Sequence, residues 1–257
     1  MFDVEYFLEL FLGGLTRGSI YALIALGYTM VYGIIELINF AHGEIYMIGA
    51  FTALIIASVL TMLGWNVVAI LVIASTAAVI YSSAYGYTVE KMAYKPLRQA
   101  PRLSALISAI GMSLFLQNYV LLAQTSDFMP FPSLIPDLEF WEPYAHIISS
   151  QEVVIIITTA VVMILLTFLI KVTRIGRAMR ATAQDRDMAM LVGIDVDRVI
   201  SVTFLVGSAT AALGGVLIAS HIGQINFYVG FIAGIKAFVA AVLGGIGSIP
   251  GAVLGSL

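Results

Sequence analysis

The chain has 257 residues, 61% of them hydrophobic and 11% charged, with a formal net charge of −3. A soluble domain is roughly 45–50% apolar and about 25% charged, so this chain lacks the charge to coat a soluble particle, and its mean hydropathy of +1.03 points to an integral membrane protein. The absence of cysteine excludes disulfides and zinc–thiolate sites.

The N-terminal stretch "MFDVEYFLEL" is acidic and has no basic region or small-residue cleavage site, so it does not read as a cleavable signal. The first uncharged run gives a candidate span at 18–35, and residues 6–16 are apolar enough to join it. A long uncharged run from 45 to 89 is broken near Gly64, Trp65 and Asn66, giving spans at 45–62 and 67–89. Further spans are expected at 103–123, 153–170, 199–220 and 237–257. Each approaches the 20 or so residues that cross a bilayer as a helix. Alternation with a period of two is absent, which argues for helices over barrel strands. The expected fold is an all-α polytopic bundle, one transmembrane domain over 1–257.

Between the first two spans lies "ELINFAHGEIYMIGA", residues 36–50. It has two readings. Asn39 and His42 can satisfy backbone groups in a capped surface turn, with Glu44 in the first turn of the next helix. Alternatively, the segment is a helix break, and Asn39 and His42 line a path. Glu36, Glu44 and Glu90 all flank spans along the chain, and no acid is expected in mid-span. That argues against ion-coupled transport, which uses intramembrane acids.

Ten of the twelve basic residues fall in two loops. Lys91, Lys95, Arg98 and Arg102 form one group, and six more lie in 171–198. Two spans separate the loops, so both are expected on the same, cytoplasmic, side. The intervening loop 124–152 is expected to face the other side. It carries Asp127, Asp137, Glu139, Glu142 and Glu152 without a basic residue, four prolines (130, 132, 136 and 143), and the interfacial aromatics Trp141 and Tyr144.

The loop 171–198 begins with Arg174, Arg177 and Arg180 at intervals of three, a basic helical face suited to lipid headgroups. A second short helix can start at Asp185, place Met188, Leu191 and Val192 on one face, and end at Gly193. Asp195 or Asp197 can cap the following span. This is either a surface helix lying on the bilayer or a docking element for a soluble partner.

Glycines recur at intervals of four in Gly14/Gly18, Gly230/Gly234 and Gly247/Gly251/Gly255, which permits close helix approach. The stretch "VLGGIGSIPGAVLG" adds a proline and is expected to interrupt its helix near Gly244, Gly247 and Ser248. Two interrupted helices, one early and one late, suggest a pseudo-symmetric repeat.

No Walker A sequence, metal-ligand spacing or nucleophile elbow occurs. His42, His146 and His221 are scattered. An enzyme reading therefore finds little support: no catalytic residues, cofactor, metal or nucleic-acid partner are expected. A self-contained secondary transporter and a purely structural membrane protein are the other classes.

Three stretches carry a resemblance: "ELINFAHGEIYMIGA", "RIGRAMRATAQDRDMAMLVGIDVDRV" and "AAVLGGIGSIPGAVLG". They are similar to the hallmark regions of permease subunits of branched-chain amino acid ABC importers, nearest the LivH-type member of the permease pair. The resemblance extends from about Gly14 to the last residue, and the most specific match is D-x-x-x-A-x-x-x-G-I at Asp185, Ala189, Gly193 and Ile194. It implies a bacterial inner-membrane importer of leucine, isoleucine and valine, or of another small solute such as urea, other amino acids or amides. The implied partners are a second homologous permease, two cytoplasmic ATP-binding subunits, a periplasmic solute-binding protein and the bilayer. The loop 171–198 would be the ATPase-coupling element, carried by Arg180, Asp185, Met188, Ala189, Leu191 and Gly193. Asn39, His42, Gly244, Gly247 and Ser248 would lie along the translocation path. The resemblance also implies a further segment beyond Leu257.

Overall fold

The computed structural model describes residues 4–135 and 148–257. Pro136, Asp137, Glu139, Trp141, Glu142, Pro143, Tyr144 and His146, expected in an external loop, lie outside them.

The fold is helical. In chain order come α1 (Val4–Ile35), α2 (His42–Met62), α3 (Val67–Val89), α4 (Arg102–Ala123), α5 (Ser150–Val172), α6 (Arg174–Gln184), α7 (Arg186–Leu191), α8 (Val196–Ile222), α9 (Val229–Leu243) and α10 (Ile249–Ser256). Among the described residues, six helices are long and apolar enough to cross a membrane: α1 to α5 and α8. The chain is thus an all-α polytopic membrane protein.

Two helices extend past the uncharged runs that suggested them. α1 starts at Val4, absorbing the apolar residues 6–16. α3 runs on through a π turn, Glu90–Tyr94, and a 3₁₀ turn, Lys95–Leu97. Charge does not stop α3, because its charges have partners. Arg98 bridges Glu90 and Asp197, and Lys95 Nζ lies 2.8 Å from Asp197 Oδ2. Glu90 is fully buried, and it also accepts from Ser201 Oγ at 3.1 Å. These bonds sew the end of α3 to the start of α8.

Side-chain caps set several helix starts. Asn66 caps α3, Thr173 caps α6, Asp185 caps α7 and Asp195 caps α8, each accepting from a backbone N–H of the first turn. Ser149 and Glu152 make a reciprocal capping box on α5. Gly193 ends α7 with a left-handed φ of 84°.

α1, α2 and α8 form the centre of the bundle, with Ile20, Leu23, Tyr46, Met47 and Phe204 fully buried among them. α3, α4 and α5 lie outside and expose Ile80, Leu114, Phe115, Ile164 and Phe168, as lipid-facing helices do. Small residues set the inner spacing. A methyl on Gly43 of α2 would strike the Gly230 carbonyl oxygen and lie 2.9 Å from Gly234 Cα, so α2 and α9 touch backbone to backbone.

Loops sort to two ends. At one, Met129–Pro130 pairs antiparallel with Gln224–Ile225, joining the α4–α5 and α8–α9 connections. At the other, Arg102 Nη2 meets Glu36 Oε2 at 2.9 Å, and Arg186 Nη2 donates to the Ile34 carbonyl at 2.8 Å. Both basic loops and the α1–α2 connection therefore share one end.

Candidate functional site

α1 ends at Ile35, and Glu36 takes a left-handed φ of 53°. Residues 36–41 form no regular helix, and α2 starts at His42. The depth of that start is decisive. A methyl on Gly27 would strike the His42 ring and lie 2.8 Å from the Gly207 carbonyl oxygen. Gly27 stands about 12 Å inside the α1 end at Ile35, at 1.5 Å per residue. Gly207 stands about 16 Å inside the α8 start at Val196. The connection therefore descends into the bundle, and α2 begins within it.

The surface-turn reading of this stretch does not fit. The residue before α2 is Ala41, which offers no side-chain cap. Asn39 and His42 are each only 1% exposed. The Tyr94 hydroxyl lies 3.1 Å from Asn39 Oδ1 and 3.2 Å from the Ile38 carbonyl oxygen. The His42 ring meets the Tyr28 ring edge-on, centroids 4.8 Å apart.

The expectation that no acid lies in mid-span is corrected at Glu44. It is fully buried, and its Oε1 accepts from Ser113 Oγ of α4 at 3.1 Å. Among the described residues, its Oε2 has no hydrogen-bond partner. Position along the chain places Glu44 at a helix end, but this helix end is internal. Ser113, the donor to Glu44, also lines a small cleft of about 60 Å³ between α4 and α9, whose lining includes Tyr28, Phe40, Phe231, Gly234 and Ile235.

The second break separates α9 from α10. Gly245 and Gly247 take left-handed φ values of 90° and 95°, and Ser248 Oγ accepts from Gly251 N at 3.2 Å to start α10. A methyl on Gly244 would strike the backbone of Gly251, so α10 folds back tightly along α9. Gly33 lies beside Gly247, and Gly18 beside Ser256 and Leu257, so α10 retraces α1 into the bundle. The candidate span 237–257 is thus a hairpin, because its glycines permit the reversal. Gly247 and Ser248 are exposed. They sit near the Gly33 level of α1, whereas His42 packs at Gly27, about 9 Å deeper.

In the loop 171–198, Arg177 Nη1 donates to the Val172 carbonyl at 3.2 Å, and Arg180 donates to the Ile170 carbonyl. Both guanidiniums therefore cover the C-terminal carbonyls of α5. Asp185 Oδ1 accepts from Met188 N at 2.9 Å. Ala189 is buried, while Met188, Leu191 and Val192 are 61%, 79% and 76% exposed. α7 thus holds an apolar face toward solvent and is anchored by Ala189.

Arg186 stands in sequence only as one of the charges, with Asp185 and Asp187, that bracket the docking helix. Its bond to Ile34 O ties the start of α7 to the last turn of α1, next to the helix break. Partial burial pulls its pKa below the ordinary guanidinium range, opposed by the Glu36 carboxylate. Both residues line a cleft of about 440 Å³ with Arg98, Arg102, Asp185 and Asp187.

Known proteins can be set beside this geometry. The chain is 52% identical over 258 residues to LivH, a permease protein of the high-affinity branched-chain amino acid transport system of Salmonella typhimurium, covering 98% of this chain and 83% of the relative. It is 51% identical over 259 residues to the corresponding permease protein BraD of Pseudomonas aeruginosa, covering 99% and 84%. A shorter match, 36% over 97 residues, joins it to LsrC, an autoinducer 2 import system permease protein of Escherichia coli, covering 35% of this chain and 28% of the relative. No solved structure matches. The family described as branched-chain amino acid transport system, permease component, matches residues 10–257, and with the similarity to LivH and BraD over nearly all of this chain this places the chain in that family.

Proposed function

We propose that this permease is one membrane subunit of a binding-protein-dependent ABC importer that carries leucine, isoleucine and valine into a bacterial cell. The names of its 52% and 51% identical relatives support the substrate class. Its partners are a second homologous permease, two cytoplasmic ATP-binding subunits and a periplasmic solute-binding protein. The membrane is the inner membrane, with the basic end in the cytoplasm, since ten of the twelve basic residues sit in the two loops at that end.

The observation that carries the mechanism is the Arg186–Ile34 bond. ATP binding closes the partner ATPases against the exposed Met188 and Leu191 of α7 and Val192 just past its end. α7 is short, capped by Asp185 and pinned by Ala189, so it moves as a unit. Arg186 passes that motion to the end of α1. The break at 36–41 is irregular and bends more readily than a helix. Asn39 and His42 then move with it, and the spans rock between inward and outward openings. Gly244, Gly247 and Ser248 form the second flexible break, against α1.

The fully buried Glu44 is an intramembrane acid and favours ion-coupled transport as the second reading. Affinity purification from membranes tests the two readings. The importer predicts that the tagged chain retains a homologous permease and two Walker A-containing ATPases in fixed ratio. Recovery of the chain alone, still active in uptake, contradicts it.

A further inference from the structure

The mechanism above makes no use of the Glu44 carboxylate. A carboxylate inside a membrane bundle loses its water, and the fold tolerates it only when something else is gained. Here Ser113 serves one oxygen and no described residue serves the other. Among the described residues, the salt bridges use Glu36, Glu90 and Asp197, so no basic side chain compensates Glu44. Glycine lets the α9 backbone close on the free oxygen without a side chain between them: a methyl on Gly230 would lie 2.7 Å from Oε2. The adjoining cleft carries the hydroxyls of Ser113 and Tyr28 and an apolar rim of Phe40, Phe231 and Ile235. An unpaired acceptor next to an aromatic and aliphatic wall complements a molecule with one ammonium and a branched aliphatic side chain.

We propose that Glu44 and Ser113, at the α4–α9 cleft, form a transit site for the α-ammonium of the transported amino acid. The proposal rests on the importer reading above. At about 60 Å³ the cleft is far below the roughly 300 Å³ of a small-molecule site, so the site is closed in this state and opens when α4 and α9 part. A charge-assisted bond to the ammonium then replaces lost hydration during passage. Reclosure around Ser113 and the Gly43–Gly230 contact expels the ligand, which suits a contact that must not retain it.

The test uses the complete importer in proteoliposomes, with radiolabelled leucine uptake and ATP hydrolysis measured on the same samples. Glu44→Gln keeps the shape and an acceptor for Ser113 but cannot ionise to pair with an ammonium. Leucine moved per ATP should fall about tenfold or more, while ATP hydrolysis stimulated by loaded binding protein stays within about twofold of wild type. Ser113→Ala is the milder second variant, with a fall of about threefold expected. A wild-type leucine-to-ATP ratio in assembled Glu44→Gln complexes overturns the proposal, as does an unchanged ratio in Ser113→Ala if Glu44→Gln does not assemble. Absence of ATP-driven leucine uptake in the wild-type complex contradicts the importer reading itself, which separates the two failures.

Discussion

At the scale of single residues, Tyr94 holds the helix break in place. Its hydroxyl reaches both Asn39 and the Ile38 carbonyl, and its ring packs on Phe204 of α8 with centroids 5.3 Å apart. Tyr94→Phe keeps the ring and removes the bond. Hydrogen bonds inside membrane proteins average about 0.6 kcal/mol and reach about 1.7, so thermal unfolding in detergent should show a loss of about 1 kcal/mol. Gly43 is the harsher case. Gly43→Ala pushes a methyl onto the Gly230 carbonyl, where both neighbours are backbone and cannot rotate away. Overpacking of this kind costs about 1–3 kcal/mol. A melting temperature equal to wild type would contradict the direct backbone contact between α2 and α9.

At the scale of elements, two devices connect the basic loops to the bundle. The first is the seam between α3 and α8. Arg98→Ala leaves the buried Glu90 with only Lys91, whose Nζ lies 3.3 Å away, and Ser201. Removing one partner of a buried ion pair costs about 3–5 kcal/mol, and the remaining partners reduce that to about 2 kcal/mol. Reduced membrane yield and a lower melting temperature should report it. The second device is α7. Leu191→Glu alters an exposed residue that touches little of its own chain, so the permease should accumulate normally while its partner ATPases dissociate during purification. Arg186→Gln acts differently. The ATPases should remain bound, but leucine moved per ATP should fall about tenfold, because the tie to α1 is cut. Normal coupling in Arg186→Gln would show that motion reaches the bundle by another route.

At the scale of the molecule, the membrane class followed from composition, and the caps at Asp185, Asp195 and Gly193 followed from local rules that need no tertiary partner. Depth did not. Residues 36–44 look alike in sequence whether they lie at a surface or inside a bundle, and only the packing of His42 against Gly27, in mid-α1, decides between them. Glu44 was misplaced for that reason. Likewise, the continuation of α3 through Lys91 and Lys95 depends on Asp197, more than a hundred residues later. The hairpin of α9 and α10 was legible as an interruption, because the glycines and Pro250 are local signals, but its fold-back along α1 was not.

The central claim is that this subunit moves amino acids only as part of an ATP-driven assembly, through a bundle opened from α7. Leucine uptake into proteoliposomes tests it most directly, with the permease pair, the ATPases, the binding protein and ATP supplied together or withheld one at a time. Uptake that requires every component is the predicted result. Uptake by this chain alone, driven by an ion gradient without ATP, would contradict it.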